Sequence, residues 1–473
     1  MNTHYLDNKV SVDSNSKYFL FCLFLALFFL DNSIYFIIGS ALIAFVLNKL
    51  YYSYKPTIFI LLFLYHFVQI ISGIILVDFL GIDISYRTQL LGTATIFSYL
   101  GLIFLFIPII YFQNKIPTLT FQKIKLFSQN LSVKRTFELY VAMFFIVNSL
   151  SLIAFKYEGL TQIIFSFRNI KWFIFLLLGF QVIIKNELKI HFIVIVLIEF
   201  LFGLLSFFSD FKTITFYLFI LLIFFITKVN FKQVLIFLFS LIILLFLGIK
   251  WTSLKGEYRS YLNKGTQSQT VKVDQNQAFD KLMELSDKET DFNKSAAQFF
   301  DRIQYTYHLA KTMERIPSVL PYENGDNIAS IISYVTTPRY FNPNKESINT
   351  SAKATKYTGI AYLGSESGVS FSLGYFADCF IDFGYIGMLF PLLVLGFIYG
   401  LSYFYFATKS TDNLLINFAL VGALYMEFIA FECDGVYLMG RLFSNLLTFY
   451  LFKKFLLPWV YNYIKVKNNT SKS

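Results

Sequence analysis

Long apolar runs separated by short polar segments fill the first half of the chain. The runs at residues 19–30, 34–47, 58–71, 192–205 and 234–249 contain no Lys or Arg. About 20 apolar residues in a helix span the hydrocarbon core of a bilayer, where a helix satisfies its own backbone hydrogen bonds. The pattern therefore predicts an all-α, polytopic integral membrane protein.

Further apolar runs follow near the C-terminus, so that about twelve transmembrane helices are predicted. Several segments are only 13 to 15 residues long. That length also suits a buried helix or a hairpin, so the count holds to within one or two. The predicted spans are residues 18–30, 33–47, 57–77, 89–112, 136–155, 172–184, 190–208, 213–227, 231–250, 382–407, 412–431 and 436–457.

These spans divide the chain into four parts. Membrane helices one to nine lie in residues 1–250, a large loop in 251–381, helices ten to twelve in 382–457, and a polar tail in 458–473. A loop of this length in a compact protein usually carries a function. We therefore expect the loop to be structured.

Apolar residues recur at helical spacing within the loop. Ser295 is a suitable N-cap for a helix that would continue to Pro317, and a second helix is expected between Asp326 and Pro338. A third helix is expected to begin near Ser370. One face of each helix is apolar, so the loop should lie against the membrane bundle.

The basic residues of the short loops predict the orientation. If the N-terminus is cytoplasmic, the inner segments hold 19 Lys and Arg residues and the short outer loops hold five. Lys and Arg are enriched in cytoplasmic loops. Both termini are therefore predicted in the cytoplasm, and the large loop outside it.

Composition excludes several classes of protein. Apolar residues make up 56% of the chain and charged residues 15%, whereas a soluble domain has roughly 25% charged residues. A soluble enzyme and a disordered protein are excluded. The net charge of +11 forms no basic stripe interleaved with aromatic residues, which argues against nucleic acid. Three scattered cysteines without a CxxC motif predict neither a disulfide framework nor a zinc site.

Two basic residues, Arg339 and Lys345, are candidates for binding phosphate, and two more, Arg302 and Arg168, stand out by their positions. Arg339 and Lys345 stand in the segment Pro338–Lys345, where two prolines restrict the backbone around them. Arg302 lies on an otherwise apolar helix face, and Arg168 lies in a predicted outer loop. A solvated turn is the alternative for the first pair. Arg302 either extends to the membrane interface or reaches into a polar cavity, and for Arg168 an interfacial anchor is the alternative to a functional role.

Two carboxylates are candidates for a general base. Asp378 and Asp382 are four residues apart and share one face of the third loop helix. Repulsion between them can raise the pKa of one toward the range of a base, although a pair of solvent-facing charges is the alternative. In the later spans, a structural ion pair is expected between Glu427 or Glu432 and Arg441.

Together these segments resemble the Wzy-type polymerases, which join oligosaccharide repeat units of O-antigen and capsule. The resemblance covers most of the chain as architecture: the number of spans, the cytoplasmic termini and the late outer loop. Pro338–Lys345 is similar to the family's PR-x-x-x-P-x-K element. The segment Leu373–Gly387 is similar to its carboxylate-rich helix, which ends in DFG-x-x-G.

Two further elements of the family match only in part. Arg168 and Gly179 are spaced as in an Arg–Gly pattern of an outer loop, but a second copy is absent because Met313 stands where Gly would follow Arg302. Lys212 occupies a loop corner where Arg is expected.

The resemblance implies a GT-C-like membrane glycosyltransferase of the bacterial inner (cytoplasmic) membrane. It would polymerise polyprenyl-pyrophosphate-linked oligosaccharides at the outer face of that membrane. A flippase and a chain-length regulator of the same pathway are the implied protein partners. No cofactor or metal is expected, because basic side chains would stabilise the leaving pyrophosphate.

The same resemblance gives seven residues candidate roles. The candidates for binding pyrophosphate are Arg302, Arg339, Lys345 and Arg168. The candidates for the catalytic base are Asp382, Asp378 and Glu366.

Two other functions compete with this one. A ligase that moves finished chains to another lipid acceptor would share the chemistry and differ only in its acceptor. A flippase or transporter of lipid-linked sugar would line a path across several spans with polar groups. The predicted spans are nearly free of charge, which favours an enzyme acting at one surface.

Overall fold

The computed structural model describes residues 9–156, 161–205, 211–266, 271–289, 291–337, 348–364, 370–428 and 431–466, together with Asn342 and Lys345. Over these residues the protein is all-α, as predicted. Two strands of two residues each, β1 (Ser11–Val12) and β2 (Lys228–Val229), pair in parallel.

Twenty α-helices form the part of the chain that the structure describes. The first ten are α1 (Ser14–Ala26), α2 (Ser33–Leu50), α3 (Ile58–Leu80), α4 (Leu91–Lys115), α5 (Phe121–Gln129), α6 (Val133–Lys156), α7 (Thr161–Lys185), α8 (Lys189–Leu205), α9 (Phe211–Phe225) and α10 (Phe231–Leu262). The next six are α11 (Gln275–Ser286), α12 (Phe292–Ile303), α13 (Thr306–Arg315), α14 (Asp326–Thr336), α15 (Thr350–Thr358) and α16 (Tyr375–Gly387). The last four are α17 (Leu389–Lys409), α18 (Leu414–Leu424), α19 (Gly435–Leu451) and α20 (Leu457–Ile464).

Six helical segments among the described residues are long and apolar enough to cross a membrane. Three shorter apolar segments, Ser14–Phe29, Phe211–Phe225 and Leu414–Phe428, fall below that length. The long ones are Ser33–Leu50, Ile58–Leu80, Leu91–Lys115, Ser166–Lys185, Phe231–Leu262 and Leu389–Lys409.

The segments predicted to be cytoplasmic meet at one end of the helix bundle. Strand β1 from the start of the chain pairs with β2, and Leu131 forms a bridge with Lys465 near the end of the chain. Side chains add hydrogen bonds to backbone carbonyls from Ser53 to Ile226, from Lys55 to Gln113, from Asn413 to Phe127 and from Arg135 to Lys465. Both ends of the described chain therefore lie at this end of the bundle.

The large loop lies against the opposite end. Arg87, in the turn between α3 and α4, forms an ion pair of 2.7 Å with Asp301 at the end of α12. The neighbouring Thr88 donates a hydrogen bond to Glu314 in α13. The loop helices are thus tied to the turns of the apolar helices, as the apolar faces of the loop predicted.

Helices α4 and α17 approach each other closely because small residues line their contact. A Cβ atom on Gly396 would lie only 2.0 Å from the backbone oxygen of Leu105. One turn further on, a Cβ atom on Gly400 would lie 2.9 Å from the oxygen of Pro108. Both obstacles are backbone atoms, which cannot turn away as a flexible side chain can.

We expect Gly396→Ala to lower the melting temperature of the purified protein. Forcing an extra methyl into a close-packed contact costs about 1–3 kcal/mol. The matched control is Gly256→Ala in α10, where a new Cβ atom meets nothing within 4 Å and alanine favours the helix. If Gly396→Ala melted at the wild-type temperature, the two helices could move apart at little cost in folding free energy.

The loop helix predicted between Ser295 and Pro317 is broken in two. It begins earlier, because Asp291 accepts a hydrogen bond from Lys294 N at 3.1 Å and caps α12. It is interrupted after Ile303, where Tyr305 N donates to the backbone oxygen of Gln69 at 3.2 Å. This bond places the break between α12 and α13 beside the middle of α3.

The remaining loop helices differ less from the sequence prediction. Helix α14 has the predicted position, whereas α16 begins at Tyr375 and not near Ser370. Gly384 has φ +68°, which kinks the chain, so the predicted span 382–407 is divided between α16 and α17. Helix α15 was not predicted.

Candidate functional site

The α18–α19 junction, residues 425–434, interrupts two short apolar helices halfway through the bundle. Its described part, 425–428 and 431–434, meets Gln69, which lies midway along α3. Phe431 N donates to the side-chain oxygen of Gln69 at 2.8 Å, and Gln69 Nε2 donates to Glu432 at 2.9 Å. Irregular backbone at such depth is found where it is buried in protein or lines a polar cavity.

A three-residue ion cluster lies on one side of this junction. Glu427 is 3.7 Å from Arg168 Nη2 and 3.8 Å from Arg441 Nη1. The side chains of Arg168 and Arg441 are 37% and 46% exposed, so both can reach a ligand. The Glu427–Arg441 pair predicted from the sequence is confirmed, and Arg168 joins it.

Further basic residues lie near Glu432, which is also a neighbour of Arg441. Lys255 in α10 lies within electrostatic range of Lys212, Arg259 and Arg302. Arg302 also lies within electrostatic range of Tyr65 and Tyr305, and Glu432 lies within range of the same two tyrosines. We call Arg168, Arg441, Arg302, Lys255, Lys212 and Arg259 the basic cluster. Arg168 and Arg441 pair with Glu427, and Lys255 lies within electrostatic range of Glu432, so basic residues outnumber these two carboxylates.

Arg168 occupies a different element from the one that the sequence predicted. It lies about two turns inside α7, below the helix end, and not in an outer loop. Gly179, the other end of the Arg–Gly pattern, lies in the same helix and packs against Leu221 of α9. In this chain the pattern is therefore a stretch of one helix.

A buried group of two carboxylates and one lysine lies on the other side of the junction. Asp434 caps α19 by accepting a hydrogen bond from Val436 N at 3.0 Å. Asp378 in α16 accepts one from Gly435 N at 2.7 Å. Lys353 of α15 forms an ion pair with Asp378 and lies 3.6 Å from Asp434 Oδ2. We call Asp378, Asp434 and Lys353 the carboxylate pair with its lysine.

The two carboxylates differ in how their oxygens are used. Asp378 places Oδ2 against Gly435 and Oδ1 against Lys353. Asp434 is 1% exposed, and its Oδ2 faces the Lys353 ammonium at 3.6 Å. This contact is longer than those of either Asp378 oxygen, so Asp434 is the less tightly bound of the two carboxylates.

Burial, followed by the charge of Asp378, raises the pKa of Asp434 to about 6. Burial alone would lower the pKa of Lys353, but the charges of Asp378 and Asp434 outweigh it and raise that pKa. Lys353 therefore stays charged while Asp434 titrates close to neutral pH. A carboxyl group with such a pKa suits general base catalysis.

Asp382, the other carboxylate of the predicted pair, faces a different partner. Its Oδ1 accepts hydrogen bonds from Gly325 N at 3.1 Å and Asn327 N at 3.0 Å. Its Oδ2 accepts one from Ile328 N at 2.8 Å. N–H groups at the start of a helix have no acceptor within that helix, and here Asp382 supplies one. Asp382 therefore holds the start of α14 against α16.

The remaining predicted site residues lie in the loop. Lys345 Nζ donates to the backbone oxygen of Thr337 at 2.8 Å and lies 3.7 Å from the centre of the Tyr334 ring. It thereby binds the C-terminal end of α14. Arg339 and Glu366 lie outside the described residues.

Sequence reasoning missed Lys353 and Asp434 as site residues. Lys353 lies on a short helix of weak apolar periodicity, and Asp434 follows a predicted span in a Cys–Asp–Gly turn. The Asp–Gly dipeptide in an apolar context was the available signal, because Asp favours helix N-caps. The described residues contain no group of three or more His, Cys, Asp or Glu side chains placed to hold a metal ion.

Fold and site define an all-α protein with several membrane-length apolar helices and charged groups at a break between two shorter ones. The chain belongs to the family described as Domain of unknown function (DUF8712), whose model matches residues 116–412, more than half of the chain. The match includes Arg168, Lys353 and Asp378 and ends before the α18–α19 junction. No curated protein and no solved structure matches the chain.

Proposed function

We propose that this protein is a membrane glycosyltransferase that polymerises polyprenyl-pyrophosphate-linked oligosaccharide repeat units, similar to the Wzy-type enzymes. The observation that carries the proposal is the basic cluster beside the α18–α19 junction. Arg168 and Arg441 are partly exposed at a helix break inside an apolar bundle, with further basic residues near Glu432, and this arrangement suits the pyrophosphate of a lipid. A lipid-linked substrate would reach this depth from the bilayer.

The reaction would transfer the growing chain from its carrier to a single lipid-linked unit. The acceptor hydroxyl oxygen attacks the anomeric carbon, the bond from that carbon to the phosphate oxygen breaks, and polyprenyl pyrophosphate leaves. Arg168, Arg441 and Arg302 would stabilise the charge that develops on the leaving oxygen.

A carboxylate must take the proton of the acceptor hydroxyl. Among the described candidates we propose Asp434, because burial raises its pKa to about 6 and its Oδ2 is bound less tightly than either oxygen of Asp378, with Lys353 holding it in place. Both oxygens of Asp382 are bound by the start of α14, which suits a structural role. Lys345 binds carbonyl groups of the loop and would shape the loop instead of contacting phosphate.

The proposed topology has twelve membrane helices with both termini in the cytoplasm. Contacts at the two ends of the bundle support alternation of α1 to α4, α6 to α10 and α17, whereas α18 enters from the cytoplasmic end and meets α19 at the junction. The shortest of them, α18, has 11 residues. The basic cluster and the large loop would then lie toward the outer face.

A strain lacking this protein tests the function. We expect single repeat units, without polymer, on the lipid acceptor at the cell surface. Repeat units confined to the inner leaflet would indicate a flippase, and polymer retained on polyprenyl pyrophosphate would indicate a ligase. Either result would overturn the proposal. Mass spectrometry of surface and lipid-linked glycans separates the three outcomes.

A further inference from the structure

A groove that the proposed reaction does not use lies between the α3–α4 turn and the loop helices. Its first part is a cavity of about 620 Å³, lined by residues 85–90 together with Lys311, Met313 and Glu314 of α13. A second cavity of about 320 Å³ shares Lys311 and Glu314 and continues to Thr358, Gly359 and Ile360. We call the two cavities together the loop groove.

The walls of the loop groove are fixed in place. Glu314 accepts hydrogen bonds from the Thr88 hydroxyl and from Gln89 N, the latter at 2.9 Å, and pairs with Lys311 at 2.8 Å. At the other end, Arg315 Nε donates to the backbone oxygen of Lys356 at 2.9 Å. The groove is therefore formed before any ligand binds, which lowers the entropic cost of binding.

The lining suits a ligand rich in hydroxyl groups. Ser85, Tyr86 and Gln89 are exposed and offer hydroxyl and amide groups that both donate and accept hydrogen bonds. The Tyr86 side chain is 78% exposed and presents an aromatic face on which the C–H groups of a sugar ring can pack. Most small-molecule pockets are predominantly apolar, whereas this one is polar.

Two of the three basic residues that line the groove are paired with carboxylates, and the third, Arg315, donates to a backbone oxygen. Arg87 is paired with Asp301 at 2.7 Å and lies 4.4 Å from the centre of the Tyr307 ring, and Lys311 is paired with Glu314. An anion would gain little here, so a neutral polar ligand fits better than a second phosphate.

The groove borders the helix that carries Arg302 of the basic cluster. Arg87, which lines the groove, pairs with Asp301, and Asp301 directly precedes Arg302 in α12. The groove and the cluster are thus linked through one helix.

We propose that the loop groove binds the glycan of the lipid-linked substrate, as a sugar subsite next to the pyrophosphate site. This inference rests on the proposed function and names where that substrate's oligosaccharide lies. Residues of the α3–α4 turn then select the repeat unit, while the basic cluster recognises the carrier common to all such substrates.

Binding of the free glycan tests the groove without catalysis. The probe is the repeat-unit oligosaccharide released by mild acid from its lipid carrier, and the readout is saturation-transfer NMR on the full-length protein in detergent. We expect Tyr86→Ala combined with Gln89→Ala to weaken binding about tenfold or more, which corresponds to roughly 1.4 kcal/mol. Both side chains are exposed, so this variant should fold normally.

The matched control is Tyr261→Ala, a partly exposed tyrosine at the end of α10 away from the groove. It should bind the glycan as the wild type does. Equal binding by the groove variant and the wild type would overturn the groove assignment, and so would absence of binding to the wild type. Neither result bears on polymerisation itself, which the glycans of the deletion strain report independently.

Discussion

Asp434→Asn is expected to slow polymer formation about 10²- to 10⁴-fold, the range that a general base contributes. The amide cannot take the proton of the acceptor hydroxyl. It can still accept the hydrogen bond from Val436 N, because asparagine is as good an N-cap as aspartate. The rate should be measured as polyprenyl pyrophosphate released per folded molecule.

The pH dependence of the wild type provides a second readout of the same residue. Burial and the Asp378 charge raise the pKa of Asp434 to about 6 from 3.8, so the base becomes protonated as the pH falls through about 6. Because its pKa is raised on folding, the charged form costs stability above that pH, and this cost disappears at lower pH. Asp434→Asn should therefore remove the pH dependence of the residual rate without lowering the melting temperature at pH 7.

Asp382→Asn is the matched control for Asp434. Its carboxylate accepts three backbone N–H bonds, and an amide NH₂ would face one of these donors. An unmade hydrogen bond of this kind costs about 1–3 kcal/mol. We expect lower thermal stability with an unchanged rate per folded molecule. Loss of rate in Asp382→Asn, with normal rate in Asp434→Asn, would assign the base to Asp382 instead.

Arg441→Lys is expected to slow transfer nearly as much as Arg441→Ala. A charge-assisted hydrogen bond contributes about 1.5–3 kcal/mol, and each 1.4 kcal/mol is roughly tenfold in rate. Losing one such bond should therefore slow transfer roughly 10- to 150-fold. Lysine cannot restore it, because an ammonium lacks the planar pair of donors that a guanidinium offers to phosphate. Arg168→Lys should behave similarly.

Two controls separate phosphate binding from pairing with Glu427. Arg135→Lys, at the other end of the bundle, replaces a partly exposed arginine that donates to the backbone oxygens of Tyr463 and Lys465, and it should transfer normally. If Arg441 serves only to neutralise Glu427, Glu427→Gln combined with Arg441→Gln should restore the rate. Recovery in this double variant would remove Arg441 from the pyrophosphate site.

The apolar pattern of the sequence was sufficient to predict the fold class and where most apolar helices lie. It could not predict how α18 and α19 meet. The sequence predicts a transmembrane span for each of them, because an apolar run has the same residue pattern whether its helix crosses the membrane or ends halfway. The hydrogen bonds of Gln69 to Phe431 and Glu432 show the difference, and they join residues more than 360 positions apart.

The sequence predicted carboxylates of the candidate site, but not the residues that contact them. Two carboxylates on one helical turn pointed to Asp378 and Asp382, and helical spacing correctly places both on α16. The spacing of residues within one helix does not, however, predict which residues of other helices they contact. Asp382 meets the start of α14, whereas Asp378 meets Gly435 and Lys353, which come from two further elements. The role of Arg339 stays a sequence prediction.

The most direct measurement of the central claim uses the purified protein in liposomes with one lipid-linked repeat unit as the only substrate. The account predicts lipid-linked products whose glycans are integer multiples of that unit. It also predicts one polyprenyl pyrophosphate released for each new glycosidic bond, with both products formed roughly 10- to 150-fold more slowly in Arg441→Lys. Movement of the unlengthened unit between leaflets, with no pyrophosphate carrier released, would contradict it.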